Sequence, residues 1–185
     1  MYLLFPSQTV VCAALLAYFS RDYGLRLPGR PAVAAGAGLL VFALWASPQV
    51  AFHRPARLDG FDPNVFGGHP ALYWGELALR FVRLVVVVPL LEEIFWRGFL
   101  LRFLIREEFE TVPFGTYSRK ANALVALGFM LEHAVTDWPA ALAAGVLYNM
   151  VAFRTRSLSS CILAHAFTNA LLGAYIMSTG QWGFW

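Results

Sequence analysis

Among the polar side chains that interrupt the apolar runs of this sequence, three short groups stand out. Glu92 and Glu93, with Arg97 four residues beyond the second, lie in Pro89-Leu-Leu-Glu-Glu-Ile-Phe-Trp-Arg-Gly-Phe-Leu-Leu101. His133 closes Phe129-Met-Leu-Glu-His133, and His165 and Asn169 stand four apart in His165-Ala-Phe-Thr-Asn169. A carboxylate or guanidinium is costly inside a bilayer, so such groups have to be paired or used. On a helix, residues four apart share a face. Glu93 and Arg97 can therefore form an ion pair, while His165 and Asn169 point the same way. Glu92 is rotated by about 100° from Glu93 and has no local partner, so its charge needs support from another helix.

A carboxylate and an imidazole that share a water make a general base. A second imidazole and a carboxamide on one helical face can donate hydrogen bonds to a developing oxyanion. Together they suit amide hydrolysis without a covalent intermediate. Zinc chemistry is the alternative, with Glu92, His133 and His165 holding Zn²⁺ beside an open water position. The sequence has no His-Glu-x-x-His and no Gly-x-Ser-x-Gly, which disfavours the common zinc and serine arrangements. Ser157, Ser159 and Ser160 are explained by capping at a helix start. Each group also has a plain structural reading. Glu93 with Arg97 can be a buried ion pair, His133 a satisfied core residue, and Asn169 a hydrogen-bonding link between helices.

The elements that must position these groups read as membrane helices. Of the 185 residues, 59% are hydrophobic and 14% charged, with mean hydropathy +0.59; soluble domains carry about one quarter charged residues. Apolar blocks run over 2–20, 32–52, 74–105, 121–135, 140–153 and 158–177, the third interrupted by Pro89. A helix needs roughly 20 apolar residues to cross the hydrocarbon, and unpaired backbone cannot be left in lipid. The expectation is an all-α polytopic bundle of about six transmembrane helices with the active site between them, the fourth and fifth spans being short. Residues 53–70 and 106–120 carry turn formers and charges and are expected outside the membrane. Gly128, Gly145 and Gly173 suit close helix packing. The C-terminal Gly180-Gln-Trp-Gly-Phe-Trp185 reads as an interfacial anchor, and Arg80 and Arg83 as outward-snorkelling charges.

Charge sets the orientation. The net charge of +3 is topological and does not indicate nucleic-acid binding. With the N-terminus outside, the inside loops hold Arg21, Arg26, Arg30, Arg102, Arg106, Arg119, Lys120, Arg154 and Arg156, and the outside loops only Arg54 and Arg57. Counting at 1.5 Å per residue, Glu92, His133 and Asn169 each lie roughly 20 Å from the inner charges of their own helices, and His165 roughly 13 Å. Groups from three helices can therefore converge. No positive region precedes the first apolar block, so that segment is expected to be retained. Cys12 and Cys161 read as small buried hydrophobes.

Glu92-Glu93-x-x-x-Arg97, Phe129-x-x-x-His133 and His165-x-x-x-Asn169 resemble, in order, the three motifs of the CPBP family. That family includes the type II CAAX prenyl endopeptidases and bacteriocin-processing or immunity proteins. The resemblance implies that Glu92 and His133 activate water, that His165 and Asn169 stabilise the oxyanion, and that Glu93, Arg97 and Phe129 support the site. It implies a glutamate mechanism with no required cofactor. Pro89-Leu-Leu-Glu-Glu-Ile-Phe-Trp-Arg97, Tyr148-Asn149, Arg154-Thr-Arg-Ser-Leu158 and the C-terminal ending further resemble the exosortase-associated bacterial subgroup. The chain is shorter than the prenyl-processing enzymes, which points away from prenylated substrates.

The resulting expectation is one integral-membrane domain over 1–185, with its motif-bearing core at about 84–178, in a bacterial inner membrane. Its partners would be the lipid bilayer and a membrane-anchored protein substrate, with a functional link to a sorting enzyme and no nucleic acid. A non-catalytic immunity or binding protein using the same polar cavity is the alternative, and a small ion or proton carrier the third reading.

Overall fold

The computed structural model describes residues 4–185, which form helices and turns with no strand among them. The first helix, α1, spans Leu4–Tyr18 and the second, α2, Pro31–Val50. A long helical path follows: α3 (Pro70–Val82), a π turn (Arg83–Val87), α4 (Val88–Glu93), a second π turn (Ile94–Leu100) and α5 (Leu101–Phe103). Then come α6 (Arg119–Leu131), α7 (Trp138–Thr155) and α8 (Leu158–Thr179). The third apolar block therefore does not break at Pro89. The π turn before it shifts the hydrogen-bond register, Val88 N–H pairing with the Arg83 carbonyl, and the missing proline N–H is absorbed without ending the helix.

Two helices, α2 and α8, are long and apolar enough to cross a membrane, and α1 is a shorter apolar helix. The outer surface is apolar on several helices: Val10, Leu15, Leu39, Leu40, Val86, Leu127 and Leu131 are all exposed. Patches of this kind are unusual on a soluble monomer and suit contact with lipid tails.

Polar and small residues face inward. α2 and α8 lie side by side at Gly38, where a Cβ would meet the Ala164 carbonyl at 2.5 Å, so only glycine permits that approach. Gly145 faces the Ala126 backbone, Gly128 faces Trp96 and Gly173 faces Phe81, in line with the close packing read from the sequence. Cys161 is buried and Cys12 partly so, both as free thiols. Ser157 caps α8 by accepting from the Ser160 N–H, and Ser118 caps α6 in the same way.

One expectation is corrected. Arg80 is buried, its guanidinium over the rings of Phe5 and Phe61, and Arg83 donates to Gln8 at 3.2 Å; both pack against or beside α1 instead of reaching outward. The C-terminal aromatics fold back onto the protein. Trp185 packs edge-on against Phe61 and Phe81, and Phe184 is buried.

Candidate active site

Glu93 and Arg97 are completely buried. A lone buried charge is prohibitive, and the two groups are paired accordingly through Glu93 Oε1, while Glu93 Oε2 accepts no hydrogen bond from a described residue. Arg97 donates to Glu93 Oε1 at 2.9 Å, to Asn149 Oδ1 at 3.0 Å and to the Gly145 carbonyl at 3.1 Å. Asn149 in turn donates to Asn122. The guanidinium lies over the rings of Phe129 and Tyr148, 4.8 and 5.3 Å from their centroids. This network ties the long helical path to α6 and α7 beneath the site.

His165 stands on the other side of Glu93, its Nδ1 2.9 Å from Glu93 Oε1. A carboxylate ion-paired with Arg97 can only accept, so Nδ1 carries the proton and Nε2 turns toward Glu92. Nε2 lies 4.0 Å from Glu92 Oε2. That oxygen is buried and accepts no hydrogen bond from a described residue. Tyr148 stacks on the His165 ring at 5.1 Å and hydrogen-bonds Thr168, which bonds the Gly38 carbonyl. Ring and helix are thereby held against α2.

His133 is positioned by a different device. The fourth apolar block was expected to be helical through Val135, but α6 stops at Leu131 and His133 lies in the following turn. A helix end leaves carbonyls unpaired, and His133 Nδ1 reaches the Phe129 carbonyl at 2.7 Å. A carbonyl accepts only, so Nδ1 is the donor and the neutral ring has its lone pair on Nε2. Trp138 Nε1–H donates to the His133 carbonyl at 3.1 Å, and Trp45 and Phe129 flank the imidazole.

Asn169 Nδ2 donates to the Leu84 carbonyl at 2.8 Å. In the register set by the π turn, Leu84 would receive the N–H of residue 89, which is proline. Asn169 supplies the missing donor from α8, and its second N–H remains available.

Glu92, Phe129, His133, His165 and Asn169 line one cavity of about 310 Å³, together with Trp45, Leu84, Val88, Tyr148 and Leu172. Glu93 and Arg97 brace it from behind. At its outer rim Arg57 pairs with Asp137 and lies over the Phe184 ring, and Gly183, Phe184 and Trp185 complete the wall. Gly183 N–H donates to the Arg57 carbonyl at 3.0 Å, and a Cβ on Gly60 would collide with the Trp182 carbonyl.

Among the described residues, no three His, Cys, Asp or Glu side chains are gathered to hold a metal ion. His165 Nδ1 is committed to Glu93 and His133 Nδ1 to the Phe129 carbonyl, so each ring presents Nε2 to the cavity, for a water or for a metal ion. Several contributors were given no role in the site from the sequence. Glu132 accepts from Trp96 Nε1–H at 3.2 Å and lies 4.0 Å from His133 Nδ1. Asn122 and Asn149, amides within apolar helices, were the available signal for the Arg97 network. Arg57 and Asp137, far apart in sequence, carried none.

A family model described as type II CAAX prenyl endopeptidase Rce1-like matches residues 74–171, which include all three motifs. No curated protein and no solved structure matches the chain. The match covers just over half of the chain, and the protein belongs to the Rce1-like family of membrane proteases.

Proposed function

We propose that this protein is an intramembrane endopeptidase that hydrolyses a peptide bond of a membrane-anchored protein with water activated by Glu92 and His133. The observation that carries this reading is the shared cavity: Glu92 Oε2 without a donor among the described residues, His165 Nε2 4.0 Å away, and His133 and Asn169 lining the same cavity. In the first step Glu92 takes one proton from water while His133 Nε2 accepts a hydrogen bond from the other hydrogen. The water oxygen bonds to the scissile carbonyl carbon, and the carbonyl π electrons move to its oxygen. With Nδ1–H committed to Glu93, His165 reaches that oxyanion through Nε2 and donates to it when the ring carries a second proton there. The second N–H of Asn169 is the other donor. Collapse breaks the C–N bond, and the proton on Glu92 passes to the departing amine.

No cofactor is required by this scheme. The same reading places the whole of 1–185 in one integral-membrane domain, with core 84–178 and six membrane-crossing segments, in a bacterial inner membrane. An apolar groove lined by Pro48, Phe52, Arg54 and Pro55 meets the cavity at Arg57, which suits an extended segment arriving from that face. The exosortase-associated subgroup, and with it a substrate delivered by a sorting enzyme, is supported by the sequence resemblance around Tyr148-Asn149 and 154–158. The test is incubation of the reconstituted protein with membrane proteins of its own cell, followed by identification of new N-termini. Termini that appear with wild type and not with Glu92→Gln support the proposal; identical profiles contradict it. A binding or immunity protein built on the same cavity predicts that Glu92→Gln preserves the cellular phenotype.

A further inference from the structure

A second cavity, of about 500 Å³, lies away from the catalytic groups. It is walled by the α1–α2 loop (Tyr23, Arg26, Gly29), by Gly98 and Arg102, and by the α7–α8 turn (Arg156, Ser157, Ser159). Its charged lining residues, Arg26, Arg102 and Arg156, are all cationic. Arg102 is engaged, donating to the Gly98 and Val112 carbonyls, with Glu110 as the acidic group facing it. The guanidinium groups of Arg26 and Arg156 are exposed and make no hydrogen bond or ion pair with a described residue.

Arg156 is held there against its backbone preference. It ends α7 in the left-handed region, φ 51° and ψ 36°, where residues with a Cβ are disfavoured. The equivalent position after α8 is Gly180, φ 67°, the residue that takes this conformation freely. Gly115 packs against the Arg156 stem, where a Cβ would meet Arg156 Cγ at 3.0 Å. An arginine kept where glycine is the easy choice, its stem fixed and its head unpaired, points to a use for the head.

The position in the fold names the ligand. Both membrane-length helices begin here, α2 two residues after Gly29 and α8 at Leu158, a lining residue. Helix ends of this kind mark the headgroup level of the bilayer, on the face that carries most of the basic loop residues. Clustered arginines at that level attract anionic headgroups, and guanidinium forks match phosphate oxygens. We propose that this cavity binds the phosphate of an anionic phospholipid, with Arg26 and Arg156 as its ligands and the lipid tails lying along the exposed apolar faces outside.

The test is native mass spectrometry of the full chain in neutral detergent, with phosphatidylglycerol or phosphatidylcholine added and inorganic phosphate as competitor. Wild type should retain phosphatidylglycerol over phosphatidylcholine by roughly tenfold or more. Arg26→Gln and Arg156→Gln together should abolish that preference, and Arg26→Gln alone should reduce it. Arg106→Gln with Arg119→Gln, on the same face outside the cavity, should leave it intact. Equal retention of the two lipids, equal loss in the Arg106/Arg119 control, or displacement by inorganic phosphate at concentrations comparable to the lipid would overturn the proposal. The readout is independent of peptidase activity.

Discussion

His165 Nδ1 and Arg97 both bind the same oxygen of Glu93, each at 2.9 Å. One buried carboxylate thus neutralises a structural cation and fixes the ring that faces Glu92. Stability and chemistry are divided between adjacent glutamates: Glu93 holds helices together, and Glu92 keeps an oxygen free.

That division is measurable. Glu93→Ala leaves Arg97 buried without its counter-charge, which typically costs about 3–5 kcal/mol. Thermal unfolding in detergent should show a large loss of stability for Glu93→Ala and a small change for Glu92→Gln. Cleavage should be lost in both. Equal stabilities for the two variants would remove Glu93 from its bracing role.

Asn169 carries a structural bond as well as its proposed catalytic one, and the two can be separated. Asn169→Ala leaves the Leu84 carbonyl unpaired, at a cost of about 1–3 kcal/mol. Pro89→Ala restores a backbone N–H to that carbonyl. In a double-mutant cycle the stability cost of Asn169→Ala should therefore shrink by about 1 kcal/mol or more in the Pro89→Ala background, while peptide cleavage stays impaired. Strict additivity would show that Leu84 does not depend on Asn169.

His133→Asn preserves a donor near the Phe129 carbonyl but removes the Nε2 lone pair. Unfolding should change little, and cleavage should fall by about 10²–10⁴-fold, the usual worth of a general base. His133→Gln, which cannot reach back to Phe129 in the same way, should lose stability too. A fully active His133→Asn variant would show that the imidazole only caps α6.

The outer wall of the cavity depends on the close approach of Gly60 to the Trp182 carbonyl. Gly60→Val should push the 182–185 segment off the rim. In a Cys12→Ala background, Leu172→Cys should then react faster with a water-soluble maleimide, by about tenfold, than the same cysteine with Gly60 intact. No acceleration would mean the segment does not cover the cavity.

Periodicity and spacing made much of this legible. The buried pair of Glu93 with Arg97 follows from helical spacing of four, and so does the common face of His165 and Asn169. The helical blocks follow from apolar run length. What could not be read are relationships that depend on departures from ideal geometry. Counting residues assumed His133 on a regular helix, whereas α6 ends at Leu131 and the imidazole takes over a carbonyl. Pro89 reads as a break, yet a π turn and a side chain from α8 repair it. Arg57, Asp137 and Gly183 meet across more than 100 residues of chain in part, at a rim that no local pattern encodes.

Metal chemistry at the same donors is open to direct contrast. Cleavage by the purified protein should survive 1,10-phenanthroline and EDTA unchanged, and elemental analysis should find less than about 0.1 metal ion per chain. Loss of activity on chelation, restored by zinc, would reassign Glu92, His133 and His165 as ligands that close around a metal during turnover.

The central claim is that Glu92 drives water onto a peptide carbonyl inside the bundle. The most direct measurement is cleavage in H₂¹⁸O, followed by mass spectrometry of the new C-terminus, for wild type and Glu92→Gln. The account predicts one ¹⁸O in the wild-type product at early times and no product from a folded Glu92→Gln variant. Cleavage by Glu92→Gln at the wild-type rate, with or without the label, would contradict it.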